Sequence, residues 1–254
     1  MYVLSLRLLR LLNGVITDAA DELKEIAMPF AVDYIKAVVE DGKPYLHKIE
    51  WGNKIADAVK RYYQKVEKMG KQDVKKELVK QAPKLSERVY GMKLADTAVV
   101  EATKKYNKYK ELQSAIDSEQ LRQALESDIL SYYSAASQQG LTGQAAIEWI
   151  TTKLVEEVGK RWEDVGTSIT AAYSMAREIS AEEFADTFSV KVRTEAMDSG
   201  TCLHCSDYDG REYRQQNGAW VDDDGNEAIS LPDPDCAGMM GGNRCRGIYM
   251  YEVG

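Results

Sequence analysis

Four cysteines lie between residues 202 and 245, and their spacing is suited to binding a metal ion. Cys202 and Cys205 form a C-x-x-C pair, and 30 residues separate Cys205 from Cys236. Two neighbouring thiolates and two distant ones can surround one tetrahedral zinc ion at about 2.3 Å from each sulfur. The spacing therefore predicts a closed, structural zinc site made by Cys202, Cys205, Cys236 and Cys245.

Other states of these thiols stay open from the sequence alone. Eight residues separate Cys236 from Cys245, a wider gap than in a usual zinc knuckle, so reduced cysteines without metal are one alternative. Disulfides are another, although residues 1–14 do not resemble an export signal. A redox role lacks the βαβ context of thioredoxins. His204 is an alternative ligand inside the C-x-x-C pair, and Asp233 with Asp235 is a candidate for a hard-metal site.

The residues around the cysteines predict a small antiparallel sheet. Phe188, Val190 and Val192 alternate with polar residues, as in a strand that is buried on one face. Asn217-Gly218 and Asp224-Gly225 are hairpin turn dipeptides. Further short strands are predicted at 211–214, 220–221, 228–231 and 247–251.

The chain before the sheet shows helical spacing of apolar residues. The strongest pattern runs from Leu85 to Ile116 with a mean spacing close to 3.5 residues, which is typical of a long helix packed along a seam. Gly70 is predicted to end one helix, and Pro29 to kink or restart another. The predicted helices cover 1–14, 18–40, 48–69, 73–81, 84–116, 118–138 and 142–177.

These patterns predict an α+β protein. Mostly long helices, forming a bundle or arm, precede a small antiparallel β domain that carries the four cysteines. The predicted segments are an N-terminal helical region at 1–83, a long-helix region at 84–186 and the β domain at 187–254. No stretch reaches the roughly 18 apolar residues of a membrane span, so no membrane contact is expected.

Charge is distributed unevenly along the chain. The net charge is −8, yet residues 43–110 carry 18 basic and 8 acidic side chains, whereas residues 111–254 carry 11 and 26. The basic segment is either a solvated helix face or a surface for packaged DNA or an acidic partner. Few aromatics are placed for stacking on bases, so sequence-specific reading of nucleic acid is not supported. The partner-facing candidates are Lys60, Arg61, Lys65, Lys75, Lys76, Lys104, Lys105 and Lys108.

The cysteine region resembles a family of tailed-phage minor head morphogenesis proteins, the group of the Mu F protein. The segment 196–213 contains a T-C-x-x-C pair followed by D-G and an aromatic residue, as in that family. The family closes its domain with a P-x-H-P-x-C-R-C block, and Pro232-Asp-Pro-Asp-Cys236 followed by Cys245-Arg246 is its counterpart here. Asp233 stands where the family has histidine. The resemblance covers roughly residues 115–251.

The resemblance implies a non-enzymatic virion component. Such a protein associates with the portal and capsid proteins in the capsid interior or at the portal vertex, is present in several copies per particle, and acts in head assembly or DNA ejection. Two functions of other classes are alternatives: a zinc- or cysteine-dependent enzyme or toxin, and a zinc-ribbon regulatory protein. The acidic character of the cysteine region argues against the regulator, because such a module needs basic residues to bind nucleic acid.

Overall fold

The structure is a computed structural model, and it confirms the predicted α+β fold. It describes residues 2–42, 48–83, 97–161, 163–195, 201–231, 233, 235–236 and 247–253. Long helices account for most of these residues, and a four-stranded antiparallel sheet follows them. Within the described ranges, no helix combines the length and the apolar character needed to cross a membrane.

The helices come first along the chain and the strands follow. The long helices are α1 (Tyr2–Asp41), α2 (Lys48–Gln81), α3 (Thr97–Gln138), α4 (Gly143–Arg161) and α5 (Glu163–Glu182). The sheet region then comprises β1 (Phe188–Thr194), the short helix α6 (Leu203–Tyr208), β2 (Glu212–Gln216), β3 (Ala219–Val221) and β4 (Ile248–Val253). Pro29 lies at an exposed position inside α1, which continues through it.

The chain divides into two compact units. The first contains residues 1–15, 63–110 and 166–254, and the second contains 16–62 and 111–165. Of the segments predicted from the sequence, 1–83 and 84–186 each contribute to both units, whereas 187–254 lies wholly in the first. The division of the chain at residues 83 and 186 stays a prediction.

Gly70 does not end a helix, contrary to the sequence-based prediction. It lies inside α2, where a Cβ atom would come within 2.8 Å of the Tyr173 carbonyl oxygen and 3.1 Å of the Ala176 Cβ. The glycine is therefore needed for the close approach of α2 to α5, and the loss in helix propensity is outweighed by this packing.

We expect Gly70→Ala to destabilise the protein by about 1–2 kcal/mol. Overpacking against backbone atoms costs about 1–3 kcal/mol and exceeds the gain of up to about 1 kcal/mol in helix propensity. Gly14 is the matched control, since it is exposed within α1 and an added Cβ would meet nothing within 4 Å. Gly14→Ala should stabilise the protein by about 0.5–1 kcal/mol in urea unfolding. Equal stabilisation by both substitutions would contradict the close-approach explanation.

Helix α3 is longer than either of the two helices predicted in its place, although residues 84–96 lie outside the described ranges. It runs through Asp117 and Ser118, where a break was predicted. Both side chains are buried, and Ser118 Oγ donates to the Gly52 carbonyl oxygen at 2.7 Å. The predicted seam is correct at Tyr106, which is buried, but wrong at Leu112 and Ile116, which are 56% and 47% exposed. At this point the buried face of α3 carries the polar side chain of Ser118, because the Gly52 carbonyl of α2 accepts its hydrogen bond.

The strands form a sheet in the order β3-β2-β1-β4, with every neighbouring pair antiparallel. Asn217 and Gly218 join β2 to β3 with φ angles of +51° and +84°, the left-handed conformations that a tight hairpin turn requires. The strand predicted at 228–231 does not form. After a single hydrogen bond from the Ala228 amide to the Trp220 carbonyl, the chain leaves the sheet and buries Leu231 in the core.

The sheet is not a free-standing module, because helices of the same unit complete its core. Its buried cluster joins Val74 and Leu78 of α2 with Phe184, Phe188 and the tyrosines of β2 and β4. The exposed edge of β4 is covered as well: the Gln81 side chain donates to the Tyr251 carbonyl and accepts from the Val253 amide, both at 2.7 Å. Side chains thus satisfy backbone groups that an edge strand would otherwise leave open.

Candidate metal centre

The C-x-x-C pair lies at the first turn of α6. Cys202 is the N-cap residue, and its sulfur accepts a hydrogen bond from the Cys205 amide at 3.4 Å. A side chain that accepts from a free amide in the first turn is the usual way to start a helix. This local structure brings both sulfurs to the same end of α6, facing the core under the sheet.

Cys236 reaches the pair from the loop between β3 and β4. Its sulfur lies 3.3 Å from that of Cys205 and 3.9 Å from that of Cys202. Sulfurs around tetrahedral zinc are about 3.8 Å apart, given a zinc–sulfur distance of about 2.3 Å. A disulfide bond is much shorter, about 2.05 Å, and all three residues are free thiols. The three sulfur atoms, which lie within 4.8 Å of one another, can therefore hold a metal ion.

Three of the four predicted ligands are thus brought together. Cys205 and Cys236 are buried, and Cys202 is partly exposed. Cys245, the fourth predicted ligand, lies outside the described residues. A three-thiol cluster with one exposed side fits a soft divalent cation better than a hard one, because thiolates select zinc and similar metals.

The protein environment favours the protonated form of the Cys205 thiol in the absence of a cation. Burial raises the pKa of the Cys205 thiol, and the hydrogen bond with Cys236 and the nearby charge of Glu195 raise it further. A bound cation would have to displace the Cys205 proton, since the thiolate is the metal ligand. Metal binding at this site is therefore expected to release protons and to weaken as the pH falls.

A network of charged residues lies beside the thiols. Arg193 and Asp233 are both completely buried, and Asp233 Oδ2 lies 3.4 Å from each terminal nitrogen of Arg193. The Arg193 Nε donates to Glu195 at 2.6 Å, and His204 Nε2 lies 3.0 Å from Asp233 Oδ2. Burial raises the pKa of Glu195, and the charge of Arg193 opposes that effect. The network connects β1, α6 and the Cys236 loop.

Sequence reasoning considered His204 and Asp233 separately and missed their connection. His204 was an alternative ligand, but it contacts Asp233 and the Tyr208 ring and is not part of the sulfur cluster. Arg193 and Glu195 were not assigned to the site. The one available signal was their separation by two positions at the end of a strand, because residues two apart in an extended chain lie on the same face. That spacing does not reveal a partner 40 residues away.

At least four of the eight candidate partner-facing residues are ion-paired within the chain. Lys104, Lys105 and Lys108 are exposed on α3 and have no acidic partner among the described side chains. We call these three residues the lysine triplet. Lys65 is also exposed. The paired residues are Lys60 with Glu111, Arg61 with Glu22, Lys75 with Glu183 and Lys76 with Asp73.

Comparison of the chain with protein-family models, curated proteins and solved structures found no significant match. The similarity to phage minor head proteins therefore depends on the cysteine motifs themselves. Geometry adds one relevant fact to those motifs, namely that Cys202 and Cys205 meet Cys236 in space.

Proposed function

We propose that this protein is a structural minor head protein of a tailed bacteriophage. In this proposal it associates with portal and capsid proteins inside the head, acts in head assembly or DNA ejection, and catalyses no reaction. The observation that supports the proposal is the convergence of Cys202 and Cys205 with Cys236, since these residues belong to the two motifs that resemble the family. Long helices in the same chain offer extended surfaces for protein contacts.

The proposed metal is a structural zinc ion. Cys202, Cys205 and Cys236 would bind it, with Cys245 as the fourth ligand. The cluster suits this role because the Cys236 sulfur lies 3.3 and 3.9 Å from the other two, close to the separation of about 3.8 Å around tetrahedral zinc. Zinc would neutralise the thiolates and tie α6 to the loop before β4. A closed site of this kind has no open position for water and therefore serves stability.

Quantitative mass spectrometry of purified phage particles from the source that encodes this chain tests the proposal. The protein should be present at a copy number comparable to that of the portal protein and far below that of the major capsid protein. Absence from both mature particles and assembly precursors would overturn the proposal and favour the enzyme and regulator alternatives.

The lysine triplet is the part of the basic segment that we expect to contact packaged DNA. Phosphate contacts by lysine release counterions, so affinity falls with salt by a slope of about −0.9 per contact. Replacing Lys104, Lys105 and Lys108 with glutamine should weaken binding to duplex DNA of any sequence. The slope of log affinity against log salt should decrease by about 2.7 if all three residues contact phosphates.

Three ion-paired lysines provide a control with the same change in net charge. Lys60, Lys75 and Lys76 have acidic partners in the chain, so their replacement with glutamine should alter the salt slope much less. Fluorescence anisotropy with a labelled duplex at several salt concentrations measures both variants. Equal slopes for the triplet variant and the wild type would show that this surface does not face DNA.

A further inference from the structure

Asp233 is the most highly connected side chain beside the sulfur cluster, and it is completely buried. Its Oδ1 accepts from the Asp235 amide at 3.0 Å, and its carbonyl oxygen accepts from the Cys236 amide at 3.1 Å. Its Oδ2 lies 3.0 Å from His204 Nε2 and 3.4 Å from both terminal nitrogens of Arg193. Each oxygen of this residue therefore fixes a different part of the site.

These contacts determine where the Cys236 sulfur lies. The two hydrogen bonds hold the Asp235 and Cys236 amides against Asp233, and this contact restricts the direction of the Cys236 side chain. The contact with His204 connects Asp233 to α6, whose first turn carries the other two thiols. One carboxylate thus controls the separation between Cys236 and the C-x-x-C pair.

The surroundings hold Asp233 in one place. Arg193 extends from β1 and is itself fixed by its 2.6 Å bond to Glu195. Glu195 fits because residue 247 is glycine, since a Cβ atom there would collide with the Glu195 carboxylate. The Glu195 amide is bonded to Asp209 at 2.8 Å, which adds a connection to the turn before β2. Because Arg193 and Glu195 are buried and hold each other at the end of β1, the position of Asp233 does not require a bound ion.

We infer that Asp233 is a positioning residue that holds the three thiols together before any metal ion binds. The inference rests on the metal site of the proposed function, because holding the thiols together serves metal binding. In a zinc finger the ion folds the peptide. Here Cys205 and Cys236 belong to a hydrophobic core shared with α2 and α5, and Asp233 sets their spacing.

Two measurements on the full chain test this role with Asp233→Asn. Zinc affinity is measured by competition with a chromophoric chelator, and we expect the variant to bind about 10–100-fold more weakly, as for other residues that support metal ligands. Thiol proximity without metal is measured with dibromobimane, which becomes strongly fluorescent when it alkylates two neighbouring thiols. In the Cys245→Ser background only the three described cysteines can react, and the variant should give a lower yield.

Asp235→Asn is the matched control. It makes the same chemical change two residues away, at an exposed position whose side chain is not part of the network. It should leave zinc affinity and bimane yield close to those of the wild type. If Asp233→Asn unfolds the sheet, as circular dichroism would show, His204→Ala replaces it. That change removes a single contact of Asp233, made by a side chain that is 33% exposed, and it should lower the bimane yield in a folded protein.

The outcomes separate this inference from the proposed metal. Weaker zinc binding and a lower bimane yield in Asp233→Asn alone support the inference. If the wild type binds no zinc but still gives a higher bimane yield than Asp233→Asn, the inference is supported as well. That result would remove zinc from the proposed function. The inference is overturned if Asp233→Asn, or its substitute His204→Ala, behaves like Asp235→Asn in both measurements. The virion assignment is decided independently by the mass spectrometry of particles.

Discussion

Replacing Glu77 with leucine is expected to lower the free energy of unfolding by about 3–5 kcal/mol, because it leaves a buried guanidinium without its counter-charge. Arg177 and Glu77 are almost fully buried, and Arg177 Nη2 lies 2.8 and 2.9 Å from the two carboxylate oxygens of Glu77. Burial raises the pKa of Glu77, and the charge of Arg177 opposes that effect. Urea unfolding followed by circular dichroism measures the loss.

The same arginine connects the helices to the sheet. Its Nε and Nη2 donate to the Tyr249 carbonyl on the edge of β4, at 3.0 and 2.8 Å. The double variant Arg177→Met with Glu77→Leu should therefore recover only part of the free energy of unfolding that Glu77→Leu loses. The uncompensated charge is gone, but a buried carbonyl then lacks its donor at a cost of about 1–3 kcal/mol.

Glu212 offers an exposed control for this prediction. It pairs with Arg214 at 2.8 Å, and both side chains are 51% exposed. Exposed pairs contribute little, so Glu212→Leu should change the free energy of unfolding by no more than about 0.5 kcal/mol. A loss below about 1 kcal/mol for Glu77→Leu would mean that the buried pair is not holding α2 to α5.

Cys205→Ala is expected to abolish stabilisation by zinc. If the wild type binds zinc, an ion concentration 1,000-fold above the dissociation constant should raise the free energy of unfolding by about 4 kcal/mol. The variant should show no such increase, because Cys205 is the buried thiol adjacent to Cys236. Thermal unfolding with zinc and with a chelator measures the difference, and the zinc effect should shrink as the pH falls and protons compete for the thiols.

Ser206→Ala is the control for the metal prediction. Ser206 follows Cys205 in α6, and its hydroxyl donates to the Leu203 carbonyl at 2.8 Å without contributing to the sulfur cluster. It should keep the full zinc effect. Equal stabilisation of Cys205→Ala and the wild type by zinc would show that an ion binds elsewhere or through other ligands.

Local sequence patterns were enough to predict the secondary structure classes and the turn at Asn217-Gly218. Both depend on short-range effects: the spacing of apolar residues selects helix or strand, and a left-handed turn selects asparagine and glycine. The C-x-x-C pair likewise indicated two thiols at one site because the chain between them is short. The α+β fold follows from these local choices, since the helical pattern changes to alternation near Phe188.

Packing reversed several predictions that depended on single residues. Gly70 was predicted to end a helix because glycine is a weak helix former, but its close contact with the Tyr173 carbonyl shows that it lets two helices approach. Ser118 was predicted to begin a new helix, yet it lies inside α3 and is buried on a backbone carbonyl of α2. Propensity describes a residue in isolation, whereas burial and hydrogen bonding depend on which element lies opposite.

The sequence by itself determined the α+β class of the fold and that Cys202 and Cys205 act as a pair. Cys236 was predicted to join them, but only the tertiary structure decided between that prediction and its alternatives. Only the tertiary structure decided that Asp233 meets His204 and Arg193, and that Lys60, Arg61, Lys75 and Lys76 are already paired. The physical reason is distance along the chain. Contacts between residues tens of positions apart depend on how the sheet and helices pack, and no local spacing encodes that arrangement.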